Sequence, residues 1–184
     1  KNSITYSYLH MMKNAVVSSH GDVYIENLKI IPQHCEQHDN NKAPSQSKIN
    51  SYPLYDEVFS IAQYWGQGFY HSMSEQLPRI APYVPYLRQN TQIKIHVHEH
   101  LGFITNIIQL LKLDPSQIVS GDIRARLLYS PGGGPCGHAP LVNSALISNL
   151  YRSEIKTPAQ HRTSIVLIKR SVGRRRWFGK HNDI

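Results

Sequence analysis

Between Gln92 and Asp114 the chain changes period without a break. QIKIHVH (Gln92–His98) alternates apolar and polar residues with period two, and HLGFITNIIQLLKL (His100–Leu113) then carries apolar residues at helical spacing until Asp114-Pro115 stops it. Period two demands a strand and period 3.6 a helix. A strand that feeds directly into an amphipathic helix needs a sheet on which the helix can lie, which predicts an α/β layer.

The same alternation recurs along the rest of the chain. DVYIENLKII (Asp22–Ile31) has the β-branched and aromatic residues of one or two strands, whereas Pro32 to Pro53 reads as a polar surface loop. EVFSIAQ (Glu57–Gln63) reads as a buried strand, followed from about Gly68 to Gln89 by a helical stretch interrupted at Pro78, Pro82 and Pro85. Short strands are predicted near Gln117–Val119 and Arg124–Tyr129, a loop at Pro131–Pro140, and a helix at Leu141–Arg152. SIVLIKR (Ser164–Arg170) has the apolar run of a covered strand in a parallel sheet. The fold class predicted is α/β, a Rossmann-like layer of βαβ units without internal repeats. Residues 1–55 are expected to be peripheral, 56–170 the Rossmann-like lobe, and 171–184 a basic linker.

Bulk properties narrow the function classes. Hydrophobic residues make up 40% of the chain and charged residues 17%, a globular composition. No apolar run reaches the roughly 20 residues of a membrane-spanning helix. Twenty Lys and Arg against twelve Asp and Glu give a net charge of +8, with much of the excess in KRSVGRRR (Lys169–Arg176). The expected partner is therefore anionic: a nucleotide, a nucleic acid or a membrane surface. Cys35 and Cys136 are free to pair or to stay apart. Starting at Lys1 and ending just after a basic run, the chain is expected to be a fragment.

Several constellations are candidates for chemistry. In FYHSMSEQLPR (Phe69–Arg79), His71 and Glu75 share one helix face about one turn apart, with Arg79 on the same stripe. Such a row serves as a base, a carboxylate that orients it and a cation, or simply as a solvated edge. Its place after a buried strand is where open α/β sheets form their crevice, and Gly66 and Gly68 permit close approach of backbone or ligand. HVHEH (His96–His100) invites a metal, but His100 falls where the helix begins and breaks the alternation. Gly132-Gly133-Gly134 fits no phosphate-loop pattern, and His138 behind it either faces a ligand or caps a helix. Arg170, Arg174, Arg175 and Arg176 follow the last predicted strand, where guanidinium groups can clamp a diphosphate. Trp177 and Phe178 beside them suit base stacking or anchoring of a further element.

Three stretches, YWGQGFYHSMSEQLPRI, HVHEHLGFITNIIQLLKLDPSQIV and VLIKRSVGRRRWF, together resemble glycosyltransferase family 61 over roughly Phe59 to Ile184. The resemblance implies the N-terminal, acceptor-side lobe of a two-lobed GT-B fold and inverting transfer of a sugar from a nucleotide donor, usually a UDP-sugar, to a glycan or protein hydroxyl. No metal is expected to be required. His71 matches the family's Y-H motif and Glu75 its recurrent acidic residue, which makes them the implied catalytic pair. Tyr70, Arg79 and His138 would be acceptor-side or supporting residues. Arg170, with Arg174 or Arg175, would hold the donor diphosphate. The implied location is the secretory lumen (Golgi or endoplasmic reticulum) in a eukaryote and the cytoplasm in a bacterium, with any membrane anchor outside this chain and no nucleic acid as partner. The competing readings are a basic nucleic-acid-binding module and a catalytically inactive glycan-binding module.

Overall fold

The computed structural model describes residues 8–26, 28–31, 43–99, 102–132 and 141–154. All of them fall within one compact unit, Lys1–Glu154. The predicted strand Ser164–Arg170 and the basic linker 171–184 lie outside the described residues.

The fold is α/β. Seven strands, β1 (Leu9–Val17), β2 (Val23–Ile25), β3 (Leu28–Ile31), β4 (Leu54–Ser60), β5 (Lys94–His96), β6 (Ile118–Val119) and β7 (Ile123–Pro131), form one sheet in the order β3-β2-β1-β7-β4-β5-β6. From β7 to β6 the pairing is parallel, as alternating strands and helices predict. From β3 to β7 it is antiparallel. The sheet is therefore mixed, and the expectation of purely βαβ construction holds only for its parallel half.

Two other expectations need correction. Residues 1–55 are not simply peripheral, because β1 pairs with β7 along its length, from Leu9 opposite Pro131 to Val17 opposite Ile123. The polar stretch before Pro53 contains a short helix, α1 (Gln46–Ser51), which buries Ile49 against Val16, Tyr24 and Tyr52. One apolar residue with a surface to cover it outweighs the polar composition around it.

Of the helices α2 (Phe69–His71), α3 (Val84–Gln89), α4 (Gly102–Leu110) and α5 (Leu141–Glu154), the last three pack with the parallel strands around the main core, whereas α2 buries none of its residues. Phe59, Ile95 and Tyr129 of the sheet meet Leu77, Ile80, Val84, Ile104, Ile108 and Ile147. Ile104, Ile108 and Leu111, at helical spacing, are all fully buried, each contributing about 1.5–3 kcal/mol by leaving water. Helix α4 stops before Asp114-Pro115. Lys112 turns left-handed at φ 52°, its N–H donates to the Gln109 carbonyl, and the Leu113 N–H donates to Ile108. This is a Schellman ending, with Leu113 buried beside Ile108. Asp114 caps the following 3-10 turn (Pro115–Gln117) instead, in a reciprocal box with Gln117.

The predicted helix over residues 68–89 is continuous but changes winding. After α2 comes a π-helical segment, Ser72–Gln76, closed by the Leu77 N–H donating to Ser72, then a 3-10 segment, Leu77–Tyr83, and finally α3. Pro78, Pro82 and Pro85 each lack an N–H, so regular i to i−4 bonding cannot run through them. π turns of this kind recur at functional sites.

Candidate functional site

The loop after β4 sets the site. Ser60 ends the strand buried, and the chain then turns through Gln63–Gly68 before α2 begins. Gly66 lies at the tightest point. A Cβ there would sit 2.3 Å from Gln76 Oε1, 2.6 Å from His98 Cβ and 3.0 Å from the Gln63 carbonyl. Only glycine lets this loop, the π segment and the end of β5 meet. The close approach is made by the Gln76 and His98 side chains and by the Gln63 backbone carbonyl, so the backbone approach expected at Gly66 is present. Ser72 Oγ then donates to the Gly66 carbonyl, and Gln63 Nε2 donates to the His71 carbonyl at 3.2 Å.

On this base His71 and Glu75 come together. His71 Nδ1 and Glu75 Oε1 are 2.7 Å apart; the glutamate side chain is 7% exposed and the histidine 20%. With the Nδ1 proton donated to the carboxylate, the neutral ring presents Nε2 as an acceptor, and Nε2 makes no hydrogen bond with a described residue. The ring stacks against Trp65 at 6.1 Å, and Tyr70 meets it edge-on at 5.3 Å. Tyr70 and Phe69 are largely exposed beside it. A carboxylate-oriented imidazole with one open nitrogen and an aromatic wall can accept a proton from a hydroxyl held against it.

Arg79 belongs to a different task. It is buried, and its guanidinium donates to the carbonyls of Ile61 and Ala62 at 3.3 Å and of Pro131 at 2.8 Å. It straps the end of β7 to the residues just beyond β4. Burial lowers its pKa to about 10, so it remains cationic at neutral pH. Its sequence stripe with His71 and Glu75 does not become a shared surface, and its role is supporting.

His96 and His98 of HVHEH serve structural roles. His96 is fully buried, with Nε2 2.9 Å from the Gly121 carbonyl and Nδ1 2.9 Å from Ser60 Oγ. A carbonyl only accepts, so Nε2 carries the proton and Nδ1 accepts from the Ser60 hydroxyl. Burial is the main cause that pushes its pKa down to about 4. His98 turns its Nδ1 to the Ser19 carbonyl at 3.0 Å and to His20 Nδ1 at 3.2 Å. Burial, then the neighbouring His20, holds His98 below the ordinary histidine range. Both rings are thereby committed to hydrogen bonds, and among the described residues no group of three or more His, Cys, Asp or Glu is arranged to hold a metal ion.

Arg170, Arg174, Arg175, His138, His100, Cys35 and Cys136 lie outside the described residues. Sequence reasoning missed Trp65, Gln76 and the Ser19-His20 turn. Gln76 is fully buried, and neither of its amide atoms is hydrogen-bonded to a described residue. Only the glycine at 66 hinted that something packs closely there. Ser19 reaches His98 from 79 residues away, for which the local sequence carries no signal. No protein-family model, curated protein or solved structure matches the chain.

Proposed function

We propose that the protein is the acceptor-side part of an inverting glycosyltransferase that moves a sugar from a nucleotide donor, of the UDP-sugar class, to a hydroxyl of a glycan or protein. The observation that carries this reading is the 2.7 Å contact between His71 Nδ1 and Glu75 Oε1, with Nε2 left open beside Trp65 and Tyr70. It is supported by the helical spacing that first singled out His71 and Glu75 and by the sequence resemblance that includes both.

In this mechanism His71 Nε2 takes the proton of the acceptor hydroxyl as that oxygen attacks the anomeric carbon. The new C–O bond forms on the face opposite the departing diphosphate, which leaves with the electron pair of the old bond, and the configuration inverts. Glu75 holds the ring in the Nδ1–H tautomer and offsets the charge of the imidazolium that forms. The geometry favours His71 over Glu75 as the base, because the carboxylate is the more buried of the two and is already engaged by Nδ1. Arg170, with Arg174 or Arg175, is assigned to the leaving diphosphate on the resemblance alone.

The test is UDP release and sugar transfer by the full-length protein, donor-side lobe included, with a panel of UDP-sugars and hydroxyl acceptors. His71→Ala is expected to lower the rate by about 100-fold or more, and Glu75→Gln to lower it while shifting the pH profile. A full-length protein that consumes no UDP-sugar, or a full-length His71→Ala protein as fast as wild type, refutes the assignment.

A further inference from the structure

We propose that a second site, formed by β1, β7 and α1, binds a phosphate monoester. The cleft has a volume of about 350 Å³, within the range of small-molecule sites. None of its lining residues belongs to the His71–Glu75 neighbourhood, and the proposal does not depend on the glycosyltransferase reading.

Its charge comes from Arg124 and Arg126, two apart on β7 and therefore on one face of the sheet. Each guanidinium is anchored through Nε, Arg124 to the Tyr52 carbonyl at 3.1 Å and Arg126 to Asp56 at 2.9 Å. Anchoring through Nε leaves the terminal Nη groups of both without a partner among the described residues. Arg124 is held by the Tyr52 carbonyl, whereas Arg126 pairs with an exposed Asp56 and can turn toward a ligand; their Nη donors suit the several oxygens of a phosphate monoester. A carboxylate brings one charge and two oxygens, fewer acceptors and less charge for the two guanidinium groups to share.

The rest of the cleft suits the ester. Asn14 and Gln46 offer amides for the remaining oxygens, while Ile49 and Leu54 give an apolar wall for the organic part. Glu26 lines the cleft without forming an ion pair with either arginine, and so is available to accept from a hydroxyl on that part. The backbone is also unusual here. Asn14 is left-handed at φ 51° within a strand, and the ladder pairs Lys13 with Leu127 and Ala15 with Ala125 but leaves out Asn14 and Arg126. Glu26 is left-handed at φ 56°. Two of the three left-handed non-glycine residues among those described thus line this one cleft, and such strain concentrates where ligands are clamped.

Isothermal titration of the intact protein with phenyl phosphate, compared with benzoate, tests the proposal. Phenyl phosphate should bind, benzoate should bind at least about tenfold more weakly, and Arg126→Gln should weaken phenyl phosphate by about tenfold through loss of a charge-assisted contact. Arg126 is 65% exposed, so its replacement leaves the core intact, and it decides the matter even if Arg124→Gln fails to fold. Absence of phenyl phosphate binding, equal affinity for benzoate, or unchanged affinity in Arg126→Gln overturns the proposal. The last result would place the anion elsewhere, such as the basic run Lys169–Arg176.

Discussion

Acidification should destabilise the protein through His96, by an amount that one substitution isolates. The buried ring stays neutral down to about 4, against an ordinary 6.5, mainly because burial opposes its charge. In the unfolded chain the same ring takes up a proton as the pH falls through 6.5. Between 6.5 and about 4 the unfolded state therefore binds more protons than the folded one, and stability falls with pH. Below about 4 both states are protonated and the loss is complete. Across that window the linkage amounts to about 3 kcal/mol. Other titrating groups, His98 among them, contribute their own slopes, so the comparison is with His96→Gln, whose amide can still donate to the Gly121 carbonyl but does not titrate. Urea unfolding of both proteins at constant ionic strength, at about pH 7, 6, 5 and 4, gives the stability difference between them. That difference should shrink by about 3 kcal/mol between the neutral and acid ends. A difference that stays constant across the series would show that His96 is not held neutral by burial.

Gly66→Ala should cost about 3 kcal/mol, since the added methyl meets a backbone carbonyl and a Cβ that cannot swing away; Gly102→Ala, with nothing within 4 Å, should leave the urea midpoint unchanged or raise it. Arg79→Met should destabilise by about 3 kcal/mol, because the carbonyls of Ile61, Ala62 and Pro131 lose their donor in a buried setting, and chemical denaturation measures this directly. Lys112→Gly should raise stability by about 0.5 kcal/mol: relief of the left-handed conformation at the end of α4 outweighs the ion pair to Glu154, made by a lysine side chain that is 66% exposed. A fall in the thermal midpoint of Lys112→Gly would contradict that ranking.

What the sequence reveals about this molecule follows how local each cause is. The His71–Glu75 contact is legible because four residues of helix close it, and the π winding beneath it leaves that contact intact. Helix α4 is legible from Ile104, Ile108 and Leu111, although its end is not, because a left-handed lysine stops it two residues before the obvious Asp-Pro signal. Arg79 misleads for the same reason that it matters. Its place on the stripe suggests a surface role, whereas its partners are carbonyls up to 52 residues away. The mixed character of the sheet is illegible for a stronger reason. LHMMKNAVV (Leu9–Val17) has little strict alternation, and it becomes a strand through pairing with β7.

That pairing bears on biosynthesis. Ser19 and Asp122, which close the β1–β7 corner, are 103 residues apart, so at ribosomal speeds of about 5–20 residues per second β1 waits roughly 5–20 s for its partner. During the wait, β2 can cover only one side of β1, and the other is an open edge of the kind that recruits foreign strands. Asn14 interrupts that edge with a left-handed residue next to Lys13, and the interruption falls where the finished ladder skips a pair. The same kink that shapes a cleft in the mature protein thus makes the nascent strand a poor template for aggregation.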